Sequence, residues 1–238
     1  MNFRILKKAR VIISLMFFLL ITFVFIDFTN ALAGNLIRSL LYFQFIPSMI
    51  SFLGLATLAA SGFILVGVIS LLFGRLYCSF LCPLGTLQDI IIWFRRRFIK
   101  KKAHKKQKAY ILLRYGILIL AIAFLLAGLI TPVLYLDPYS NYGRIIANIF
   151  RPLFLLMNNL GALTLESMDV YTLYRVEPGV THWFSISFSI SLFILIVWLS
   201  VKYARLFCNT LCPVGVLLAL LSRLSLFKIR LDKSLCTS

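Results

Sequence analysis

Residues Gly74–Gly85, GRLYCSFLCPLG, have a near copy at Arg205–Gly215, RLFCNTLCPVG. Aligned from Arg75 and Arg205, the eleven positions share Arg, Leu, Cys, Leu, Cys, Pro and Gly, with Tyr77 matched by Phe207. Cys78 and Cys82 return as Cys208 and Cys212, each 130 residues further on (208 − 78 and 212 − 82). Four of the five cysteines therefore lie in two C-x-x-x-C-P units, and each unit directly follows a long apolar segment. Self-similarity at a fixed offset is the mark of an internal repeat. It decides the fold class: a duplicated membrane hairpin carrying a thiol motif.

Composition agrees. Of 238 residues, 61% are hydrophobic and 13% charged, and the mean hydropathy is +0.98. A soluble domain is nearer half apolar and a quarter charged. The net charge of +18 sits in blocks between apolar runs. That pattern fits a positive-inside membrane protein and argues against a nucleic-acid partner.

Four spans are expected: Val11–Ile26, Phe52–Phe73, Ile111–Ile130 and Trp183–Val201. The first is a little short of the roughly 20 residues that cross a bilayer core. Ala31-Leu32-Ala33 also permits a rival reading as a signal peptide cleaved before Gly34. Residues 34–50 contain Arg38, Gln44 and Pro47 and read as an interfacial segment on the outer face. Ile145–Leu163 is interrupted by Asn148, Arg151, Pro152, Asn158 and Asn159, and reads as a second outer-face helix. Lys and Arg in the successive connecting segments number 4, 1, 10, 3 and 6, with Arg114 inside the third span. Nine of them crowd Arg95–Lys108, a cytoplasmic topogenic loop facing membrane lipid. The expected fold is an all-α membrane protein with four transmembrane helices in two parallel-repeat hairpins, plus outer-face interfacial helices. Residues 1–110 form the first hairpin, 111–230 the second, and 231–238 a trailing segment. Both termini are expected in the cytoplasm of a bacterium, with the chain multi-pass in the inner membrane.

Thiols on the cytoplasmic face stay reduced, so these four are candidates for metal binding or redox chemistry. In C-x-x-x-C the sulfurs are i and i+4 and share a helix face. Pro83 and Pro213 suit a helix N1 position, whose free N–H groups favour a nearby thiolate, and Arg75 and Arg205 add positive charge. Two units related by a pseudo-two-fold would gather four sulfurs, the ligand count of an iron–sulfur or zinc site. The plain alternative is cysteine packed as a small hydrophobe. Haem is not expected, because the only histidines, His104 and His182, do not face each other within a span.

GRLYCSFLCPLGTLQDI and RLFCNTLCPVGVLLALLSRLSLFKIRLDKSLC resemble the two membrane motifs of NapH/NosR-type proteins, the membrane-bound ferredoxin-like iron–sulfur proteins. LDPYSNYGR, Leu136–Arg144, on the expected outer face, is similar as well. The resemblance implies [4Fe–4S] centres, a quinol electron donor and a periplasmic or membrane-bound redox partner. It makes Cys236 the first ligand of a ferredoxin segment whose other ligands do not follow in the sequence. That implies either a portion of a longer protein or a form without those clusters. Function is expected to be that of the membrane module of an iron–sulfur electron-transfer protein, carrying electrons from quinol to a reductase partner. Two alternatives stay open: a copper- or iron-handling assembly factor, and a structural membrane anchor.

Overall fold

The computed structural model describes residues 3–27, 34–55, 61–98, 110–166, 175–177 and 182–227. Its described residues are helical throughout, with no strand among them. In the first half, α1 (Phe3–Ile26), α2 (Gly34–Tyr42), α3 (Phe45–Leu55) and α4 (Gly62–Phe73) lead to a one-turn helix α5 (Leu76–Phe80) and then α6 (Pro83–Phe98). The second half repeats the order: α7 (Ile111–Leu126), α8 (Ile130–Leu136), α9 (Pro138–Ile145), α10 (Arg151–Glu166), α11 (Trp183–Tyr203), α12 (Leu206–Thr210) and α13 (Pro213–Leu221). Contacts repeat too. Helix α1 packs on α5 and α6 as α7 does on α12 and α13, and α6 lies against α11 as α13 lies against α4. The halves thus embrace crosswise, each motif helix against the other half's incoming helix.

The core is apolar and lies around the two cysteine motifs, with Tyr77, Cys82, Leu84, Phe207, Cys208, Cys212 and Val214 in one buried cluster. The outside is apolar as well: Leu112, Leu126 and Trp183 are more than four-fifths exposed. A soluble fold does not leave such a surface to water, and a bilayer accepts it.

Three helices are long and apolar enough to cross a membrane: Lys8–Ile26, Pro138–Glu166 and Trp183–Tyr203. The first and last coincide with expected spans. The expected second and third spans appear as the shorter apolar helices Gly62–Phe73 and Ile111–Leu126. The largest departure is at Pro138–Glu166, where a broken interfacial segment was expected and a continuous 29-residue helix is found. Two local devices remove the breaks. Asn148 donates from Nδ2 to Ser185 Oγ and Ser189 Oγ at 2.9 and 2.8 Å, which satisfies its amide within the bundle. A π-helical turn over Ile146–Phe150 precedes Pro152, whose missing N–H would otherwise leave an α-helical carbonyl unpaired.

Each half also turns one polar residue of a stretch expected on the outer face into the core. Helices α2 and α3 meet at Gln44, and α8 and α9 meet at Asp137; both residues are almost fully buried. Gln44 reaches the first cysteine motif, accepting from Tyr77 Oη at 3.0 Å and donating to the Leu81 carbonyl at 3.4 Å. Asp137 caps α9, accepting from the Ser140 N–H and hydroxyl, both at 2.8 Å. Its charge is felt at Cys82 and Cys212. Each half therefore folds a turn inward to the motifs, because a buried polar turn needs partners that only the interior supplies.

Candidate metal and redox site

Each motif is built the same way. Helix α4 ends at Gly74 with φ +80°, α11 ends at Ala204 with φ +61°, and the chain turns into a single helical turn carrying the first cysteine. The Cys82 N–H then donates to the Tyr77 carbonyl at 3.0 Å, and the Cys212 N–H to the Phe207 carbonyl at 3.1 Å. Pro83 and Pro213 open α6 and α13, the N1 positions expected from sequence. Cys212 caps its helix through sulfur, accepting from the Gly215 N–H at 3.3 Å. The second cysteine of each unit therefore sits at a helix N-terminus, where N–H groups face it.

Glycine three residues after the second cysteine closes the motif. A Cβ on Gly85 would lie 2.4 Å from the Cys78 carbonyl oxygen, and one on Gly215 would lie 2.1 Å from that of Cys208. Only a residue without Cβ lets the new helix cross the preceding turn this closely.

The two motifs meet at their arginines and first cysteines. All four cysteines of the motifs are free thiols, three buried and Cys78 partly so. The field at Cys208 includes Cys82, Cys212 and Cys78. Cys78 and Cys208 open, with Arg75 and Arg205, onto one cavity of about 50 Å³. Such a space is about enough for one or two waters. The arginines cross over: Arg75 Nη1 donates to Asn209 Oδ1 of the second motif at 2.6 Å, and Arg205 Nη1 donates to Ser79 Oγ of the first at 3.3 Å. Ser79 and Asn209 occupy matching positions of the two motifs.

The expectation that arginine and helix ends hold thiolates is overturned by burial. Desolvation pushes Cys82 up to about 12 and Cys208 and Cys212 well above the usual thiol range. Arg75 and Arg205 pull Cys78 down without offsetting its burial, so it too stays raised. Burial thus opposes ionisation of all four thiols, and a metal bound there must displace their protons.

Four soft sulfur donors match an iron–sulfur group in number and chemistry. Among the described residues no three His, Cys, Asp or Glu converge as one metal ion requires. Cys236 lies outside the described residues.

Four participants escaped sequence reading. Asp89 pairs with Arg205, accepting from Nε at 2.7 Å and from Nη2. It is the sole acidic residue between Asp27 and Asp137, a signal that was available. Gln88, fully buried, accepts from Cys208 Sγ at 3.3 Å, while its Nε2 has no partner. Gln44 and Asp137 carried no signal beyond being polar in apolar surroundings. Beside Arg205, Ser79 and Asn209 a second cavity of about 880 Å³ opens between α1 and α6, lined also by Ser14, Leu15, Asp89 and Trp93.

Fold and site together define a helical membrane protein whose two halves each carry a C-x-x-x-C-P motif, the two motifs packed against each other. The sequence matches the family described as a 4Fe-4S binding domain over residues 55–102 and again over 186–232, one match on each motif. The chain is similar to the NapH-type membrane iron–sulfur proteins. It is 27% identical to the ferredoxin-type protein NapH of Escherichia coli K12 over 170 residues, 70% of this chain and 45% of NapH. Over 190 residues it is 26% identical to the methylamine utilization ferredoxin-type protein MauN of Methylobacillus flagellatus, covering 79% of this chain and 54% of MauN. YccM of Escherichia coli K12, assigned provisionally to electron transport, is 29% identical over 71% of this chain and 40% of its own length. The chain spans about half the length of these relatives. No solved structure matches it.

Proposed function

We propose that this chain is the membrane module of an iron–sulfur electron-transfer protein, with Cys78, Cys82, Cys208 and Cys212 as its metal or redox residues. One observation supports the proposal: two motifs 130 residues apart pack together, with Cys78, Cys208 and both arginines on one small cavity and Cys82 and Cys212 buried in the same core. An iron–sulfur group held by those thiols would supply one-electron chemistry. The chain's own contribution is to exclude water from the thiols, to fix the second cysteines at helix N-termini, and to set two guanidiniums beside the first ones. Those positive charges would favour the more negative, reduced state of a bound group.

Quinol as donor is part of the same proposal. The large cavity beside Arg205 supports it, being mostly apolar in lining with the Asp89–Arg205 pair at its motif end. An amphiphilic ring with hydroxyl groups matches that polarity. A reductase partner and an inner-membrane setting belong to the same proposal, which the ferredoxin-type and electron-transport names of the relatives support. Both termini are placed in the cytoplasm on the basic-residue counts.

The test is anaerobic purification followed by iron and acid-labile sulfide analysis, then addition of a reduced short-chain quinol. Bound iron and sulfide in equal amounts, with visible absorption bleached by quinol, is the expected result. Iron and sulfide without bleaching removes the quinol donor, and copper in place of both favours a metal-handling assembly factor.

A further inference from the structure

The two cysteines of the second motif are held by different partners. The Cys212 sulfur accepts from an N–H of its own helix, that of Gly215, at 3.3 Å. The Cys208 sulfur instead donates to Oε1 of Gln88 at 3.3 Å, a contact that runs from α12 in the second half to α6 in the first. Gln88 is wholly enclosed, and its Nε2 is buried without a hydrogen-bond partner among the described residues. It follows Cys82 by six residues, and the matching position of the second half, 130 residues on, is Leu218, which is just as buried. One copy of the repeat therefore packs an apolar side chain where the other encloses a half-satisfied amide, an arrangement that costs stability.

The orphan N–H gains a partner in one state of the molecule, that in which Cys208 is a ligand. As a ligand, Cys208 has given up its thiol proton, and its sulfur keeps lone pairs but no donor. An amide oxygen facing that sulfur is then a repelling contact. The terminal torsion of glutamine is broad and roughly two-fold, so a half turn puts Nε2 where Oε1 stood.

We infer that Gln88 is a positioning residue for Cys208: its carboxamide accepts from the thiol in the metal-free chain and donates from Nε2 to the same sulfur when Cys208 is a ligand. The inference rests on the reading of Cys208 as a metal or redox residue. Outer partners of this kind orient a ligand and tune what it binds. An N–H aimed at a ligating sulfur stabilises the more negative, reduced state and so raises the reduction potential.

The test uses the full chain purified anaerobically in detergent, as wild type, Gln88→Met and Gln88→Leu. Methionine keeps the volume without the amide, and leucine copies the second half. Iron, acid-labile sulfide and the midpoint potential are measured on each, and thermal unfolding on portions stripped of iron with a chelator. In both variants the midpoint should fall by about 60 mV, a tenfold change in the ratio of reduced to oxidised centre for one electron. Unfolding of the stripped chain should move by less than about 2 °C, because the weak thiol bond and the orphan N–H are lost together. Loss of iron and sulfide from a variant whose stripped chain unfolds like wild type also supports the role. An unchanged midpoint in variants that keep iron and sulfide overturns it and leaves the cysteines as ligands. A variant whose stripped chain is clearly destabilised, with its midpoint unchanged or its iron lost, makes Gln88 a strut between the halves and overturns the role as well. Wild type without iron and sulfide removes both this inference and the reading beneath it.

Discussion

The first and second motifs can be laid over each other residue by residue, and their differences fall outside the cysteines. Both keep the Arg, both Cys, the Pro and the Gly. The first half has Gly74, Tyr77 and Asp89 where the second has Ala204, Phe207 and Ala219. The shared residues build the backbone of the site: a sharp turn into α5 or α12, a sulfur at a helix start, and a glycine that lets the helices cross. The differing residues give the two motifs unlike flanks: Arg205 pairs with Asp89 beside a large cavity, while Arg75 donates to Asn209. A symmetric centre with asymmetric flanks gives the thiols a distinct entrance without altering their geometry.

Breaking what is shared should cost most. Gly215→Ala places a methyl group against the Cys208 carbonyl, and backbone cannot move aside as a side chain does. A loss of about 3 kcal/mol is expected, the upper end for overpacking. Gly85→Ala, with a slightly longer approach, should lose somewhat less. Thermal unfolding in detergent checks the order, and a neutral Gly215→Ala would show that the crossing is looser than described.

Making the halves alike at Tyr77 should cost less. Tyr77→Phe copies the second motif but leaves Gln44 Oε1 without its 3.0 Å donor and the Phe45 N–H without its 3.3 Å acceptor. About 1–2 kcal/mol is expected, the penalty for unsatisfied buried groups. The reverse exchange, Ala204→Gly, should stabilise by about 1 kcal/mol, because Ala204 holds φ +61° where Gly74 holds +80° without a Cβ. Unchanged stability in Ala204→Gly would mean that the strain is absorbed elsewhere.

The smallest effect belongs to the ion pair. Asp89 and Arg205 side chains are 35% and 28% exposed, so Asp89→Asn should cost only about 0.5 kcal/mol. Its effect on ligand occupancy of the large cavity should exceed its effect on unfolding. Parallel titration with a short-chain quinol and thermal unfolding would separate the two.

Much of the centre was legible because it is local. The paired C-x-x-x-C-P, the prolines at N1 and the apolar helices before them follow from spacing and chain chemistry alone. What was not legible depends on partners distant in sequence. Asn148 and Pro152 read as breaks in an outer-face helix until Ser185, Ser189 and a π turn absorb them. Gln44 and Asp137 read as surface residues until the fold turns them inward. The thiolate expectation failed for the same reason: spacing places charges beside the sulfurs but does not reveal how completely the core removes water from them.

The central claim is that two motifs make one site, and iron bound per chain in single and double cysteine variants tests it most directly. Cys78→Ser and Cys208→Ser should each remove most of the iron, and the double variant should be little lower than either single one. If each single variant kept half of the iron and the double variant kept none, the motifs would be two independent sites, and the account of a shared centre would be wrong.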